Sequence, residues 1–386
     1  MKRDTRLIHG SRHKASAKLA ETVGPPIQRG STVLLPNAAA IHDYSQISYG
    51  RQGLASHQAL VAALAEMEGA SDVSLFPSGL AAITGTLLAV VKAGDEILAV
   101  DSVYRPTRRF CDTLLARLGV STRYFEPSLS AEGVLALATP ATRLIMLETP
   151  GSLTMDMQDI PGIARAARAR GVLTAVDNTW AAGVLFKPLA HGIDISIQSL
   201  TKYVGGHSDV FMGSAATANP ATAKLLDAAQ LEMGWAVAPD DAYFMLRGLR
   251  TLGTRLDRHE ANAMIIARWL ESHGNVLQVL YPALPGAPGH DIWKRDFSGA
   301  SGLLSFVAHP GSSAAVDTFI DTLRLFGLGY SWGGFESLAI PGDPQFACRV
   351  FQPRFGGPVI RLQIGLEDTD DLISDLDQAL AAYATA

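Results

Sequence analysis

Two cysteines in 386 residues, Cys111 and Cys348, are too few for a disulfide framework or a zinc cage and fit a reducing compartment. Excess charge is also missing. Against 37 Asp and Glu stand 32 Lys and Arg, a net charge of −5, which leaves no broad basic field for a nucleic acid. The longest apolar segment, Gly79 to Val91, has thirteen residues, where a bilayer span needs about 20. The basic N-terminal stretch (Lys2, Arg3, Arg6, Arg12, Lys14) runs into no apolar core, so it does not read as a secretory signal. The ten histidines lack His-Glu-x-x-His spacing, so no metal is expected. No Walker motif occurs, and no dinucleotide fingerprint in its strand–helix context. These absences point to a cytoplasmic protein with neither membrane nor nucleic acid as a partner.

What the chain has is apolar mass: 48% hydrophobic residues with 18% charged, enough length for two or three domains with their own cores. Residues 1–52, with Pro25-Pro26 and Pro36 and no sustained period, read as an arm. Beyond it, strand-like and helical segments alternate. Strands are expected at 73–76, 96–101, 144–147, 173–177 and 193–198, and helices at 59–68, 80–92, 107–118 and 160–170. That alternation implies an α/β fold with a mainly parallel sheet covered on both faces, whose ligands collect beyond the carboxyl ends of the strands. One long helix over 240–272 is expected to lead from this large domain, 53–248, into a smaller α+β domain, 249–386. In the smaller domain 302–308 and 358–366 read as strands, and 316–326 and 370–386 as helices, the last capped by Asp368 or Thr369.

The stretch richest in chemistry is Ser199-Leu200-Thr201-Lys202-Tyr203-Val204-Gly205-Gly206, downstream of Asp177, which ends the apolar run Val172 to Val176. A lysine between hydroxyls and a glycine pair, below a strand-ending aspartate, suits covalently held pyridoxal phosphate (PLP). Lys202 would form the Schiff base, and Asp177 would keep the pyridine nitrogen protonated so that the ring draws electrons from a carbanion. Most lysines beside glycines are merely solvated. Ser199-Leu200-Thr201-Lys202 also satisfies the Ser-x-x-Lys of serine acyl-enzymes, but the accompanying Ser-Asp-Asn and Lys-Thr-Gly are absent. Asp177-Asn178 could equally open a turn. Phe76-Pro77-Ser78-Gly79-Leu80 reads as a strand–turn–helix junction. Its glycine and free helix amides would cradle a phosphate with Gly79, Leu80, Ser199 and Thr201 as donors, although ordinary βα turns look the same. Arg51, after Tyr49, becomes useful beside a dianionic phosphate. Arg361 interrupts the run Val359 to Ile364; it needs an anion such as a substrate carboxylate if the strand is covered, and nothing if it lies at an edge.

Taken together these residues resemble the Cys/Met-metabolism PLP-dependent enzymes over almost the whole chain, from Asp4-Thr5-Arg6-Leu7-Ile8-His9-Gly10 to Arg361-Leu362-Gln363-Ile364-Gly365-Leu366-Glu367-Asp368. Asp177-Asn178-Thr179-Trp180-Ala181-Ala182-Gly183 and Thr201-Lys202-Tyr203 carry the family pattern. Pro150-Gly151-Ser152-Leu153-Thr154-Met155 and Tyr330-Ser331-Trp332-Gly333-Gly334 are similar to its β-lyase branch, where the γ branches have Pro-Thr-Asn-Pro and Ser-Leu-Gly-Gly. The resemblance implies the aspartate-aminotransferase-like PLP fold type I, and a homotetramer built of two active dimers. It implies that Tyr104 stacks on the pyridine face, and that Tyr49 and Arg51 reach the phosphate of a neighbouring subunit. Arg361, helped by Ser331, would clamp the α-carboxylate, with Trp332 and Tyr330 shaping the pocket. Lys202, Tyr104 and Tyr49 would be the catalytic groups, a cationic imine and the phenols favouring the neutral lysine. Leu80 departs from the family, which often has a smaller residue there. The implied reaction is β-elimination of cystathionine; a related lyase acting on cystine, methionine or another thioether is the alternative.

Overall fold

The computed structural model describes residues 2–9 and 22–386. Gly10, Arg12 and Lys14 of the expected arm lie outside the described residues. Seven strands form the first sheet: β1 (Asp72–Phe76), β2 (Glu96–Val100), β3 (Ser121–Phe125), β4 (Thr142–Glu148), β5 (Leu173–Asp177), β6 (Ile195–Ser199) and β7 (Gly213–Thr217). Their order is β1-β7-β6-β5-β4-β2-β3. The pairs β2–β3, β2–β4, β4–β5 and β5–β6 are parallel, while β7 runs antiparallel to both its neighbours. The sheet is mainly parallel, as the alternation implies. Two strands of this sheet escaped the sequence reading. β3 alternates exposed and half-covered positions, and β7, Gly-Ser-Ala-Ala-Thr, has little β propensity yet is wholly buried.

The helices are α1 (Arg3–His9), α2 (Ala55–Glu68), α3 (Gly79–Val90), α4 (Arg105–Phe110), α5 (Ala131–Ala136), α6 (Ile160–Ala169), α7 (Pro220–Glu232), α8 (Pro239–Leu249), α9 (Leu252–Ser272), α10 (His290–Asp296), α11 (Ser313–Thr322) and α12 (Thr369–Thr385). The single helix expected over 240–272 is two. The Gly248 carbonyl, which Leu252 would bond in a continuous helix, instead accepts Thr251 N–H, the Thr251 hydroxyl and Arg255 Nη2. A Cβ on Gly248 would fall 2.4 Å from the carbonyl oxygens of Val204 and Gly205, so the helix end is pressed against the chain that follows Lys202. The helix expected over 107–118 begins at Arg105 and widens into a π turn over Cys111–Leu115. Asp368 caps α12 by accepting Asp370 N–H.

The second sheet joins β8 (Val276–Leu280), β9 (Leu303–Ala308), β10 (Gly327–Leu328), β11 (Leu338–Pro341) and β12 (Val359–Gln363) in the order β10-β11-β12-β9-β8. Arg361 therefore sits on an interior strand, flanked by β11 and β9, and the edge-strand reading falls away. Of the arm, α1 lies along α9 through Arg3 and Asp257 and buries Leu7. Residues 22–52 are mostly exposed.

Candidate functional site

Parallel strands β4, β5 and β6 end side by side, and their carboxyl ends open on a cavity of about 650 Å³ closed from the other side by the second sheet and its loops. The β4–β5 register pairs half-buried Glu148 with buried Asp177, so two carboxyls stand together at its floor. Asp177 Oδ1 accepts the Thr179 N–H (3.0 Å) and hydroxyl (2.5 Å), while Oδ2 has no partner among the described residues. Burial pushes this carboxyl above its usual range, against the pull of the Thr179 donors and of Lys202. Thr179 Oγ1 in turn accepts the Ser199 N–H at 2.9 Å and ties the ends of β5 and β6 together.

Lys202 follows β6 on a tight turn, with Gly205 N–H donating to the Leu200 carbonyl and Gly206 N–H to that of Lys202. Arg255 holds the turn from below, bonding the carbonyls of Tyr203 (2.7 Å) and Val204 (3.3 Å). Lys202 Nζ donates to Ser331 Oγ at 2.9 Å and lies 5.3 Å from the centre of the Trp332 indole. Burial, followed by the nearby Arg361 charge, lowers the ammonium pKa from 10.5 to about 8. The phenols expected to assist are not among the causes. The Trp332 loop reaches Lys202 because Gly333 has φ +84°; a Cβ there would lie 2.8 Å from Tyr203 N and 2.9 Å from Lys202 C.

Arg361 is 5% exposed. Its guanidinium donates to the carbonyls of Gly329 (3.1 Å), Tyr330 (3.2 Å) and Ser331 (3.0 Å), leaving Nε buried and unpartnered. Burial lowers its pKa from 12.5 to about 10. Ser331 thus serves both cations, giving its hydroxyl to Lys202 and its carbonyl to Arg361.

At the start of α3, Ser78 Oγ caps the Ala81 N–H, which leaves the first-turn amides of Gly79 and Leu80 without an intrahelical partner. Ser199 packs so close that a Cβ on Gly79 would lie 2.4 Å from its Cβ and Oγ. Thr201 lines the cavity, but its hydroxyl donates to the Met212 carbonyl (3.2 Å) and accepts Met212 N–H (3.0 Å). These bonds tie the residue before β7 to the lysine turn, with the hydroxyl beside the Gly79–Ser199 cradle in the same cavity. Tyr104 caps α4, with its N–H donating to Glu148 Oε2 at 2.6 Å. Burial, then the Asp177 and Glu148 charges, raises its phenol pKa. Tyr330 joins the wall 77% exposed. Tyr49 and Arg51 take no part in the cavity of their own chain: Tyr49 pairs with Thr32, and the Arg51 guanidinium sits 5.8 Å from the Tyr49 ring centre.

Glu148 was missed, though it ends an apolar strand as Asp177 does, and that signal was in the sequence. Burial and the Asp177 charge push its pKa well above the usual value. Asp101 likewise ends the expected strand 96–101, but its pairing with Arg108 left no signal in the sequence. Asp101 also accepts the Val350 (3.2 Å) and Phe351 (2.9 Å) amides, and Arg349 bonds Thr154 (3.0 Å) and the Ser152 carbonyl (2.5 Å). These bonds pin the 349–351 loop to the end of β2 and to the 152–154 loop, whose Ser152 and Leu153 line the cavity. The site as a whole offers an anion cradle, a buried carboxylate lacking a cation, a primary amine and a second cationic wall.

A family model described as Cys/Met metabolism PLP-dependent enzyme matches residues 4–381. The chain is 50% identical to a provisionally named cystathionine β-lyase of Rhizobium johnstonii, over 93% of this chain and 91% of that one. It is 42% identical to cystathionine β-lyase MetC of Escherichia coli K12, over 98% of each chain. Among solved structures, that of metB from Corynebacterium glutamicum superposes with a TM-score of 0.91 at 32% identity, covering 98% of this chain and 97% of that one.

Proposed function

The chain belongs to the Cys/Met metabolism PLP-dependent enzymes, and from that premise we infer that it is a carbon–sulfur lyase performing β-elimination on L-cystathionine, with water consumed and L-homocysteine, pyruvate and ammonia released. The observation that carries the reading is Lys202 Nζ, its pKa lowered by burial to about 8 and its amine 2.9 Å from Ser331 Oγ, in one cavity with Asp177 and Arg361.

The residues fit PLP. Asp177 Oδ2 is a buried acceptor lacking a cation, which a protonated ring nitrogen satisfies. Gly79, Leu80 and Ser199 form an anion cradle at a helix start, Tyr104 flanks the space between, and Lys202 supplies the amine. PLP held there would supply an electron sink for the pair left at Cα.

Lys202 would hold the cofactor, and its Nζ, when free, would be the base for the Cα proton. A lysine near its usual pKa would be protonated at neutral pH, and burial beside Arg361 removes part of that obstacle. Ser331 keeps the amine directed into the cavity. Arg361, whose three carbonyl bonds leave Nε–H and one Nη1–H unused, takes the substrate α-carboxylate, which turns the Cα–H bond toward Lys202. The Trp332 indole limits the room beyond Cβ, a constraint that favours elimination there over the longer rearrangement that γ chemistry needs.

The arm supports a shared site. Leu34 and Tyr44 are 91% and 94% exposed, a state that a neighbouring subunit would relieve. In this reading Tyr49 and Arg51 complete the partner's phosphate pocket, two such dimers form the tetramer, and 53–248 and 249–386 are the two domains of each subunit. A cytoplasmic location accords with two free cysteines and with no helix, among the described residues, long and apolar enough to cross a membrane. The test is the product formed from cystathionine by the PLP-loaded protein. Pyruvate is expected; 2-oxobutyrate would mean γ-elimination and overturn the assignment.

A further inference from the structure

Four cationic side chains line the cavity, Lys202, Arg361, Arg105 and Arg109, against two carboxyls, Glu148 and Asp177. The surplus is local, since the chain as a whole carries a net charge of −5. Lys202 and Arg361 are engaged with Ser331 and with the 329–331 carbonyls. Arg105 and Arg109 have no ion pair or side-chain hydrogen bond with any described residue. They stand one turn apart on α4, directly after Tyr104, so their side chains leave the same face about 6 Å apart at Cβ. Two forked guanidiniums at that spacing, facing a cavity without a counter-ion, suit an incoming carboxylate.

We propose that Arg105 and Arg109 form a distal carboxylate subsite, which selects thioethers carrying a second acidic group on the leaving side of sulfur. The proposal rests on the lyase reading above and names its substrate class. A thioether with an amino-acid group at each end presents two carboxylates. One belongs with Arg361 beside the reacting carbon, and the other requires a cation across the cavity. The cofactor phosphate is another anion the pair could meet, but the Gly79 and Leu80 amides and Ser199 already form a cradle for it.

The test compares L-cystathionine with S-ethyl-L-cysteine, which has the same Cβ–S bond and no distal carboxylate. For Arg109→Gln, and more for the Arg105→Gln/Arg109→Gln double variant, the ratio of kcat/KM for cystathionine to that for S-ethylcysteine falls roughly tenfold or more through KM. That is the scale of a partly exposed hydrogen bond to a charged group. The wild-type ratio declines with added salt and the double variant's does not. A ratio the same in the wild type and the double variant overturns the subsite. Weaker PLP binding at a constant ratio assigns the pair to the phosphate, and a changed oligomeric mass at a constant ratio assigns it to a subunit contact; either overturns it too. Calorimetry on Lys202→Ala reads the same two ligands without turnover. A wild type that forms pyruvate from neither substrate refutes the lyase reading, while the calorimetric affinity ratio, with and without the arginines, still decides the subsite.

Discussion

Replacing Gly333 with alanine should damage the site far more than the fold. Two costs meet at that residue. Its φ of +84° lies in the left-handed region, where a Cβ costs about 1–2 kcal/mol. The new methyl would also sit 2.8 Å from Tyr203 N, 2.9 Å from Lys202 C and 3.0 Å from Lys202 Cβ, atoms of a turn held by Arg255. Overpacking against such a support costs about 1–3 kcal/mol. The sum, about 2–5 kcal/mol, is more cheaply relieved by moving the 330–334 loop outward than by moving the lysine turn. Such a shift carries away the Ser331 hydroxyl from Lys202 and the 329–331 carbonyls from Arg361. A loss of at least 2 kcal/mol in transition-state positioning is a roughly thirtyfold fall in kcat/KM. The assay is pyruvate formation from cystathionine, beside a thermal melt and PLP absorbance. Gly274→Ala is the control, since a Cβ there meets nothing within 4 Å and its φ is not positive. A Gly333→Ala enzyme with wild-type kcat/KM would show that the loop does not need this approach to Lys202.

Asp177→Asn leaves a neutral group at the ring nitrogen, so turnover should fall by orders of magnitude while a PLP titration changes much less; equal losses in both would make Asp177 a structural residue only. In the cofactor-free protein the Lys202 pKa is near 8 against 10.5 unfolded, so between those values the unfolded chain binds the extra proton and stability rises with pH. Melting temperatures of wild type and Lys202→Met from pH 8 to 10 check this, the variant lacking that increment; parallel curves would contradict it. Refolding Arg51→Ala together with Lys202→Ala should recover part of the activity that each lacks alone, because one hybrid site keeps both residues. No recovery from well-folded mixtures would confine the arm to its own subunit.

Local chemistry made Lys202, Asp177 and the Ser78-Gly79 junction legible in the chain. A strand-ending acid, a lysine on a glycine-bearing turn and a capped helix start each announce themselves within a few residues, and periodicity placed most strands of the large sheet beside them. The alternation of strands and helices likewise implied parallel pairing, because only a covered crossover can return the chain in the same direction. Whatever depends on pairing between distant segments lay beyond that reading. The register of β4 against β5 sets Glu148 beside Asp177. The place of β12 between β9 and β11 buries Arg361, and the 329–331 carbonyls that solvate it come from a loop some 30 residues earlier. The pressure of Gly248 on the lysine turn divides a helix whose apolar period runs unbroken through the joint. Side-chain type and near spacing determine what a residue can do. Only burial and the neighbours that tertiary packing supplies decide the charge it carries and the direction in which it points.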